Sequence, residues 1–143
     1  MGVRRIVGAS AVALVAWGSS QGAALAAFAE GEQVLTFEHD GQQVTCRLYG
    51  QSDVVEGDGS ASSRTNADAD PRCAGLLAVE VTYVDTGGVR RTSRSSTASG
   101  SDVTHEVQGV QDSFSATHTV RFTGCEDPSD PSACELSFTT SPK

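Results

Sequence analysis

The segment LLAVEVTYVD, Leu76–Asp85, does more than any other stretch of this chain to determine its fold. Its side chains alternate between two faces, with Leu77, Val79, Val81 and Tyr83 on one face and Ala78, Glu80, Thr82 and Val84 on the other. Period-two alternation of β-branched and aromatic residues is typical of a β-strand. We therefore predict a central strand of a sheet over 76–85.

Turn-forming residues on the C-terminal side of this strand separate further short segments with the same period. The turn at 85–88 precedes residues 89–96, whose three arginines and many hydroxyl groups predict an exposed edge strand. Additional strands are predicted over 103–108, 113–122 and 134–140, with a polar turn near 99–102 and a short turn at Gln111–Asp112.

On the N-terminal side, two alternating segments, 33–39 and 43–49, flank the dipeptide Asp40–Gly41. An Asp-Gly pair between alternating segments strongly favours a β-hairpin turn. Residues Gly50–Arg72 are rich in Gly, Ser, Asp and Ala and contain few large apolar side chains. We expect an unusually long loop there.

The predicted strands together indicate the fold class. After residue 29 no segment has a sustained helical period, and seven short strands separated by turns are typical of an antiparallel β-sandwich. We therefore predict an all-β protein, with an immunoglobulin-like or related Greek-key topology.

The N-terminal residues have the organisation of a secretory signal peptide. Two arginines lie within Met1–Arg5, and Ile6–Gly18 is an apolar run too short to span a bilayer. Small-residue cleavage sites follow at Ala24-Leu25-Ala26 and at Ala27-Phe28-Ala29. We therefore expect an exported, extracellular protein.

The predicted domain organisation follows from cleavage at the second of these sites. Residues 1–29 are then a signal peptide that is removed, and residues 30–143 form a single small all-β domain. Cleavage after Ala26 rather than Ala29 remains open.

Charge and residue usage restrict the partners and the origin of the chain. The net charge is −8, and loss of Arg4 and Arg5 leaves 8 basic residues against 18 acidic ones, a net charge of −10. Such a charge repels nucleic acids and anionic membranes, so we expect an extracellular protein or a small ligand as partner. Isoleucine, asparagine and lysine occur once each, a bias that GC-rich codons produce. This bias favours a bacterium of high GC content, such as an actinobacterium.

Four cysteines are expected to form two disulfides in an oxidising extracellular environment. Four cysteines allow three connectivities, and the sequence alone does not select one. We favour pairing in chain order, Cys46 with Cys73 and Cys125 with Cys134. A zinc site is not expected, because the chain has no C-x-x-C pair.

Two groups of residues are weak candidates for metal ligands. A hairpin turn at Gln111–Asp112 would place His105 opposite His118 on one face. In the predicted loop, Asn66, Asp68 and Asp70 repeat at every second position, as the first ligands of a calcium loop do. Neither set is complete, since the histidines lack a third ligand and Pro71 replaces the glycine of a calcium loop. We expect no metal and no cofactor.

Catalytic motifs are absent from the sequence. No G-x-S-x-G elbow occurs, and serines scattered through a serine-rich chain do not indicate a triad. We therefore expect a protein that is not an enzyme. Its contact regions are predicted in the loops Gly50–Arg72 and Glu126–Ala133, the second of which the Cys125–Cys134 disulfide would hold in place.

Two short stretches resemble known families of small exported proteins. The stretch from Val44-Thr45-Cys46 to Asp70-Pro71-Arg72-Cys73-Ala74-Gly75-Leu76 resembles the first disulfide region of the actinobacterial subtilisin-inhibitor family. That family's second disulfide spans a much longer segment than Cys125–Cys134, so no reactive-site residue is assigned. The Cys125–Cys134 loop is similar to one in small apo-chromoprotein carriers, which also combine a β-sandwich with two disulfides.

We therefore favour a small, disulfide-stabilised binding or interaction module. The alternatives are an extracellular protease inhibitor and a small-ligand carrier.

Overall fold

A computed structural model describes residues 5–6, 15–18, 27–125 and 131–142. Its strands are β1 (Arg5–Ile6), β2 (Val15–Gly18), β3 (Ala27–His39), β4 (Gln42–Val55), β5 (Asp58–Thr65), β6 (Gly75–Asp85), β7 (Arg90–Gly100), β8 (Asp102–Val107), β9 (Val110–Phe122) and β10 (Glu135–Thr140). Two short 3₁₀ helices cover Pro71–Cys73 and Pro131–Cys134.

Eight of these strands form two antiparallel sheets that pack face to face. Sheet A has the order β3-β4-β5-β8, and the short strands β1 and β2 both pair with the outer edge of β3. Sheet B has the order β10-β9-β6-β7. The predicted all-β sandwich is confirmed, with eight strands in the two sheets where the sequence predicted seven.

The first predicted hairpin is confirmed. β3 and β4 pair without interruption from Ala27↔Val54 to His39↔Gln42. Asp40 and Gly41 have φ angles of 51° and 77°, as a tight two-residue hairpin turn requires. The inward residues of both strands, Leu35, Phe37, Val44, Cys46 and Leu48, are buried.

The central and edge strands of sheet B also follow the prediction. β6 lies between β9 and β7 and buries Leu77, Val79 and Val81, whereas β7 forms an edge of the sheet. The long apolar strand is central because only a strand flanked on both sides, and covered by the facing sheet, removes so much apolar surface from water.

The predicted loop over Gly50–Arg72 is wrong, because most of this segment is a second hairpin. β4 continues to Val55, and β5 pairs with it from Val55↔Asp58 to Leu48↔Thr65. The turn residues Glu56 and Gly57 both have positive φ angles, 50° and 85°. The inward positions of β5 carry the small residues Gly59, Ala61, Ser63 and Thr65, all buried. Because these inward residues are small or polar, the sequence of β5 lacks the large apolar side chains that predict a strand.

The predicted turn at Gln111–Asp112 is also wrong. The chain leaves sheet A at Gln108–Gly109, where Gly109 has a φ of 73°, and enters β9 of sheet B at Val110. Asp112 instead lies at an irregularity of the β6–β9 pairing, beside Ser113, whose φ is 59°. A β-bulge of polar residues resembles a turn in sequence, because both need positive φ and exposed backbone.

Both predicted disulfides are confirmed. Cys46 of β4 is bonded to Cys73 of the first 3₁₀ helix, with Cα atoms 5.2 Å apart. Cys125 is bonded to Cys134, with Cα atoms 5.5 Å apart. All four sulfurs belong to the larger apolar cluster of the core, so each disulfide is also a packing element.

The space between the sheets holds two apolar clusters. One is built around Leu48, Leu77, Phe122 and the disulfides, and the other around Val54, Val81 and Phe114. The buried polar residues Ser52, Ser63, His118 and Thr140 belong to neither cluster. The described part of the interior therefore combines two apolar clusters with a set of buried polar side chains.

Candidate functional site

The outer face of sheet A carries an open depression of about 400 Å³. β3, β4 and β5 supply its lining, Glu30, Gly31, Glu32, Tyr49, Gly50, Gln51, Ser62 and Arg64. Strand register explains this set, since Glu32, Tyr49 and Arg64 are direct cross-strand neighbours. Glu30, Gln51 and Ser62 form the next row. Alternation along each strand points all six polar side chains away from the core.

Two arginines partly organise this depression. Arg47 forms an ion pair with Glu32, and this hydrogen bond raises the pKa of the Arg47 guanidinium. The guanidinium carbon of Arg64 lies 5.7 Å from the centre of the Tyr49 ring, within the range of a cation–π contact. For Glu30, no ion pair is found within the described residues. The depression therefore offers a carboxylate, an amide and hydroxyl groups to a polar ligand.

The depression belongs to a strongly acidic face. The outward positions of sheet A carry seven carboxylates, Glu30, Glu32, Glu38, Asp53, Asp58, Asp102 and Glu106, against the two arginines Arg47 and Arg64. Burial raises the pKa of Asp53, and the charge of Glu106 raises it further. Like charges thus already interact on this face.

The outer face of sheet B differs in charge. Its outward positions carry the arginines Arg90, Arg94 and Arg121 and the acids Glu80, Glu135 and, opposite Val84 at the β6–β9 irregularity, Asp112. A second open depression of about 460 Å³ lies there, over Ala78 and the hydroxyl groups of Ser96, Thr119 and Ser137. Arg121 is paired with Glu135 at 3.2 Å. The two faces of the sandwich are therefore electrostatically distinct.

His105 and His118, predicted to face each other, lie in different sheets. His105 pairs with Ala61 in sheet A, whereas His118 pairs with Phe138 and Val79 in sheet B. The predicted register fails because β8 and β9 do not form a hairpin with each other.

The half-buried His105 bonds to two serines of β7. Its Nε2 lies 2.6 Å from Ser93 Oγ, and its Nδ1 lies 2.6 Å from Ser95 Oγ. Each ring nitrogen therefore has a serine hydroxyl as its hydrogen-bond partner. These contacts connect the edge strands of the two sheets.

His118 is fully buried at the centre of a polar chain that links the two sheets. Its Nδ1 lies 2.8 Å from Ser63 Oγ, and its Nε2 lies 2.7 Å from Thr140 Oγ1. Ser63 donates its only hydroxyl proton to the carbonyl oxygen of Ala78, so it must accept from an Nδ1–H of His118. The network therefore assigns the Nδ1–H tautomer to this ring.

The hydrogen-bond directions at the Nε2 end of this polar network follow from the same count of protons. With Nδ1 protonated, Nε2 accepts from Thr140, whose oxygen in turn accepts from Ser52 at 2.7 Å. Burial lowers the pKa of His118 to about 4, and a backbone contact with Ser62 opposes this shift. The imidazole is therefore neutral at physiological pH, and both of its ring nitrogens have buried hydroxyl partners that connect the two sheets.

Gly50→Ala is expected to lower the free energy of unfolding by about 2 kcal/mol, because the ring of His118 lies directly against Gly50. A Cβ at position 50 would lie 2.4 Å from Cγ and Cδ2 of the ring. Chemical denaturation would measure the loss. Gly87→Ala is the matched control, since its Cβ would meet only Asp85 Oδ1 at 3.4 Å, and we expect a change within about 0.5 kcal/mol. Equal stabilities of the two variants would contradict the packing described here.

Two of the three candidate calcium ligands, Asn66 and Asp70, have structural partners. Asn66 Oδ1 accepts from the backbone N–H of Arg47 at 2.8 Å, and Asn66 Nδ2 donates to the carbonyl oxygen of Thr45 at 3.1 Å. Asp70 caps the first 3₁₀ helix and pairs with Arg72, which lowers the pKa of its carboxyl group. Asp68 is exposed. The asparagine and Asp70 thus hold the chain around the Cys46–Cys73 disulfide.

Neither a metal-binding cluster nor a membrane-spanning helix is found among the described residues. Among them, no group of three or more His, Cys, Asp or Glu side chains is arranged to hold a metal ion. Nor does this part of the chain contain a helix long and apolar enough to cross a membrane. The predicted contact loop Glu126–Ala133 lies largely outside the described residues, since 126–130 are not among them.

Sequence reasoning missed the depression on sheet A. Tyr49 lies on a predicted strand, but Glu30 and Glu32 precede the predicted strand 33–39, and Gln51, Ser62 and Arg64 belong to the segment predicted as a loop. One sequence signal indicates these strands. Ser52 and Val54 of β4, and Ala61 and Ser63 of β5, alternate with polar residues as the inward positions of a strand do.

Comparisons of the chain with protein-family models, with curated proteins and with solved structures each find no match. The resemblances to subtilisin inhibitors and to chromoprotein carriers therefore gain no support. The fold and the site define a class by themselves, a small β-sandwich with two disulfides and two polar faces of different charge.

Proposed function

We propose that this protein is a secreted, disulfide-stabilised binding module that contacts a cationic partner through the outer face of sheet A. The observation that supports this proposal most directly is the depression lined by Glu30, Glu32 and Gln51, on a face with seven carboxylates and two arginines. Its secretion, its removable signal peptide and its origin in a high-GC bacterium are part of the proposal and rest on the sequence.

Electrostatics favours a positively charged segment of another extracellular protein as this partner. A cleft lined by charge of one sign raises the local concentration of the opposite charge and accelerates association. The same field repels phosphate backbones and anionic lipids, so nucleic acids and membrane surfaces are not proposed as partners. We propose this contact on the outer surface rather than between the sheets, because apolar clusters of buried side chains lie between the sheets.

We propose no catalytic role. The Ser93–His105–Ser95 contacts are accounted for as a bond between edge strands. A protease inhibitor or a small-ligand carrier remains an alternative, but no contact among the described residues favours either.

Glu30→Gln combined with Glu32→Gln is expected to weaken binding of a decalysine peptide about tenfold at low salt. The double variant removes two charges from the depression, and the loss of Glu32 also frees Arg47, which then repels the ligand. Isothermal titration calorimetry at two salt concentrations would measure the affinity, which should fall as salt rises.

Glu80→Gln combined with Glu135→Gln is the matched control, because it removes the same charge from the outer face of sheet B. We expect this control to bind decalysine nearly as the native chain does. The proposal is wrong if both double variants lose the same affinity, or if the native chain does not bind the peptide.

A further inference from the structure

β3 is the outermost long strand of sheet A, and its free edge accepts strands from the chain itself. β2 pairs antiparallel with residues 27–30, and β1 pairs antiparallel with Thr36 and Phe37. Between these two stretches, residues 31–35 have no described strand on their outer side. The edge of β3 is thus suited in geometry to pair with an added strand.

The other three edges of the sandwich are less suited to strand addition. β8 and β10 contain six residues each, and β7 carries Arg90, Arg91 and Arg94. β3 contains thirteen residues and pairs with β4 in one unbroken register, without a bulge or a proline. A long regular edge of this kind is an established template for a further strand.

We propose that an extended segment of a partner protein, with basic side chains at alternate positions, adds antiparallel to the edge of β3. The outward side chains of β3 include Glu30, Glu32 and Glu38. An added strand places its own outward side chains about 5 Å from these, close enough to pair with them. This inference rests on the proposed function for the charge of the partner and adds the way in which that partner is held.

A second copy of the chain is a poorer occupant of this edge. Consider two β3 strands that pair antiparallel with their outward faces aligned. In every such register that pairs five or more residues, an acidic residue lies opposite or diagonal to an acidic residue of the other copy. Such like-charge pairs destabilise a sheet. Charge complementarity therefore favours a basic segment.

The N-terminal segment of the chain competes for the same edge. While β1 and β2 are paired with β3, they occupy the positions that a partner strand needs. Removal of the predicted signal peptide frees them. Cleavage after Ala26 leaves all of β3, and cleavage after Ala29 leaves the strand from Glu30 onward.

The shorter chain has what it needs to fold. The buried hydrophobic residues run from Ala29 to Phe138, and both disulfides lie within this range. β1 and β2 pair only with β3 among the described strands. Residues 27–143 can therefore be compared directly with the full chain.

The test uses residues 27–143 and an octapeptide of alternating arginine and threonine. Fluorescence anisotropy would measure its affinity, and hydrogen exchange would measure the protection of the β3 amides. Two control peptides have the same charge but are N-methylated at every second residue, in one frame or the other. In an added strand, the N–H groups of alternate residues face β3, so only one of the two methylation patterns removes them. We expect the peptide with that pattern to bind at least tenfold more weakly than the unmodified peptide, and the other to bind as the unmodified peptide does.

Three further results are expected if the inference is correct. The unmodified peptide protects amides of β3, the full chain binds it at least tenfold more weakly than residues 27–143, and residues 27–143 remain monomeric without it. Equal binding of all three peptides would overturn strand addition and leave the proposed acidic contact face intact. Dimerisation of residues 27–143 through β3 would overturn it in favour of a second copy. Absence of binding by any peptide would overturn both proposals.

Discussion

Replacing Cys46 and Cys73 together by alanine is expected to lower the free energy of unfolding by about 3.6 kcal/mol. Their disulfide closes a segment with a sequence separation of 27 residues, and opening it gives the unfolded chain much more conformational freedom. The segment contains the β4–β5 hairpin and the turn at Asn66, so nearly half of sheet A lies inside the closed loop. Chemical denaturation of the native and variant proteins would measure the loss.

The second disulfide provides the matched control. Cys125 and Cys134 are only 9 residues apart, so replacing both by alanine is expected to cost about 2.7 kcal/mol, roughly 1 kcal/mol less. Both pairs take part in the same apolar cluster, which makes the packing terms comparable. A larger loss from the Cys125–Cys134 pair, or no loss from either, would show that loop closure does not determine their contributions.

Much of the architecture could be predicted because it depends on local patterns. The alternation in 76–85 and 113–122 gave strands that are buried on one face, and Asp40–Gly41 gave the turn and the register of the first hairpin. The order of the cysteines along the chain gave both disulfides. For the strands and the hairpin, the residues that carry the signal are within a few positions of the structure that they specify, whereas the disulfides join cysteines 27 and 9 residues apart.

The errors arose where small residues occupy the core. Gly59 leaves room for the ring of Phe114, and Gly50 leaves room for His118. These small residues are buried because a large side chain of the opposite sheet fills the space above them. The local sequence of β5 does not indicate which large side chain of the opposite sheet will cover it, so its small residues predict a loop.

The candidate site was missed for a related reason. Its polar rows join β3, β4 and β5, and residues Glu32, Tyr49 and Arg64 become neighbours only once the register of three strands is fixed. The pairing of His105 with His118 failed because it assumed a hairpin where the chain instead crosses between the sheets at Gly109. Long-range register, rather than local propensity, determines both outcomes.

Acidification from pH 7 to pH 4 is expected to remove about 3 kcal/mol of stability through His118 alone. Burial lowers the pKa of this imidazole to about 4 in the folded state, whereas an unfolded histidine has a value near 6.5. Between these values the unfolded chain binds more protons than the folded one, so stability rises with pH. The stabilising contribution of the neutral His118 is complete above about pH 6.5 and is lost as the pH falls toward 4.

Other groups must be separated from this effect. Ser63, Thr140, Phe138 and Gly50 face the ring among the described residues, and none of them titrates in this range. The carboxyl groups of Asp70 and Asp85 have lowered pKa values, so their contributions to the stability of the protein are also lost in acid. This loss occurs at lower pH than the loss through His118. The pKa of Asp53 is raised, which acts in the opposite direction.

His118→Gln removes the titrating ring and leaves these carboxylates unchanged, so it isolates the contribution of the histidine. Denaturation midpoints of the native chain and of this variant would be compared at intervals from pH 4 to pH 7. The variant is expected to be less stable at pH 7, because glutamine does not reproduce the bonds to Ser63 and Thr140. Its stability should nevertheless depend less on pH, and the two curves should converge as the pH approaches 4. Parallel curves over this range would mean that the ring is protonated in the folded state without cost, and that the network around it does not require the neutral tautomer.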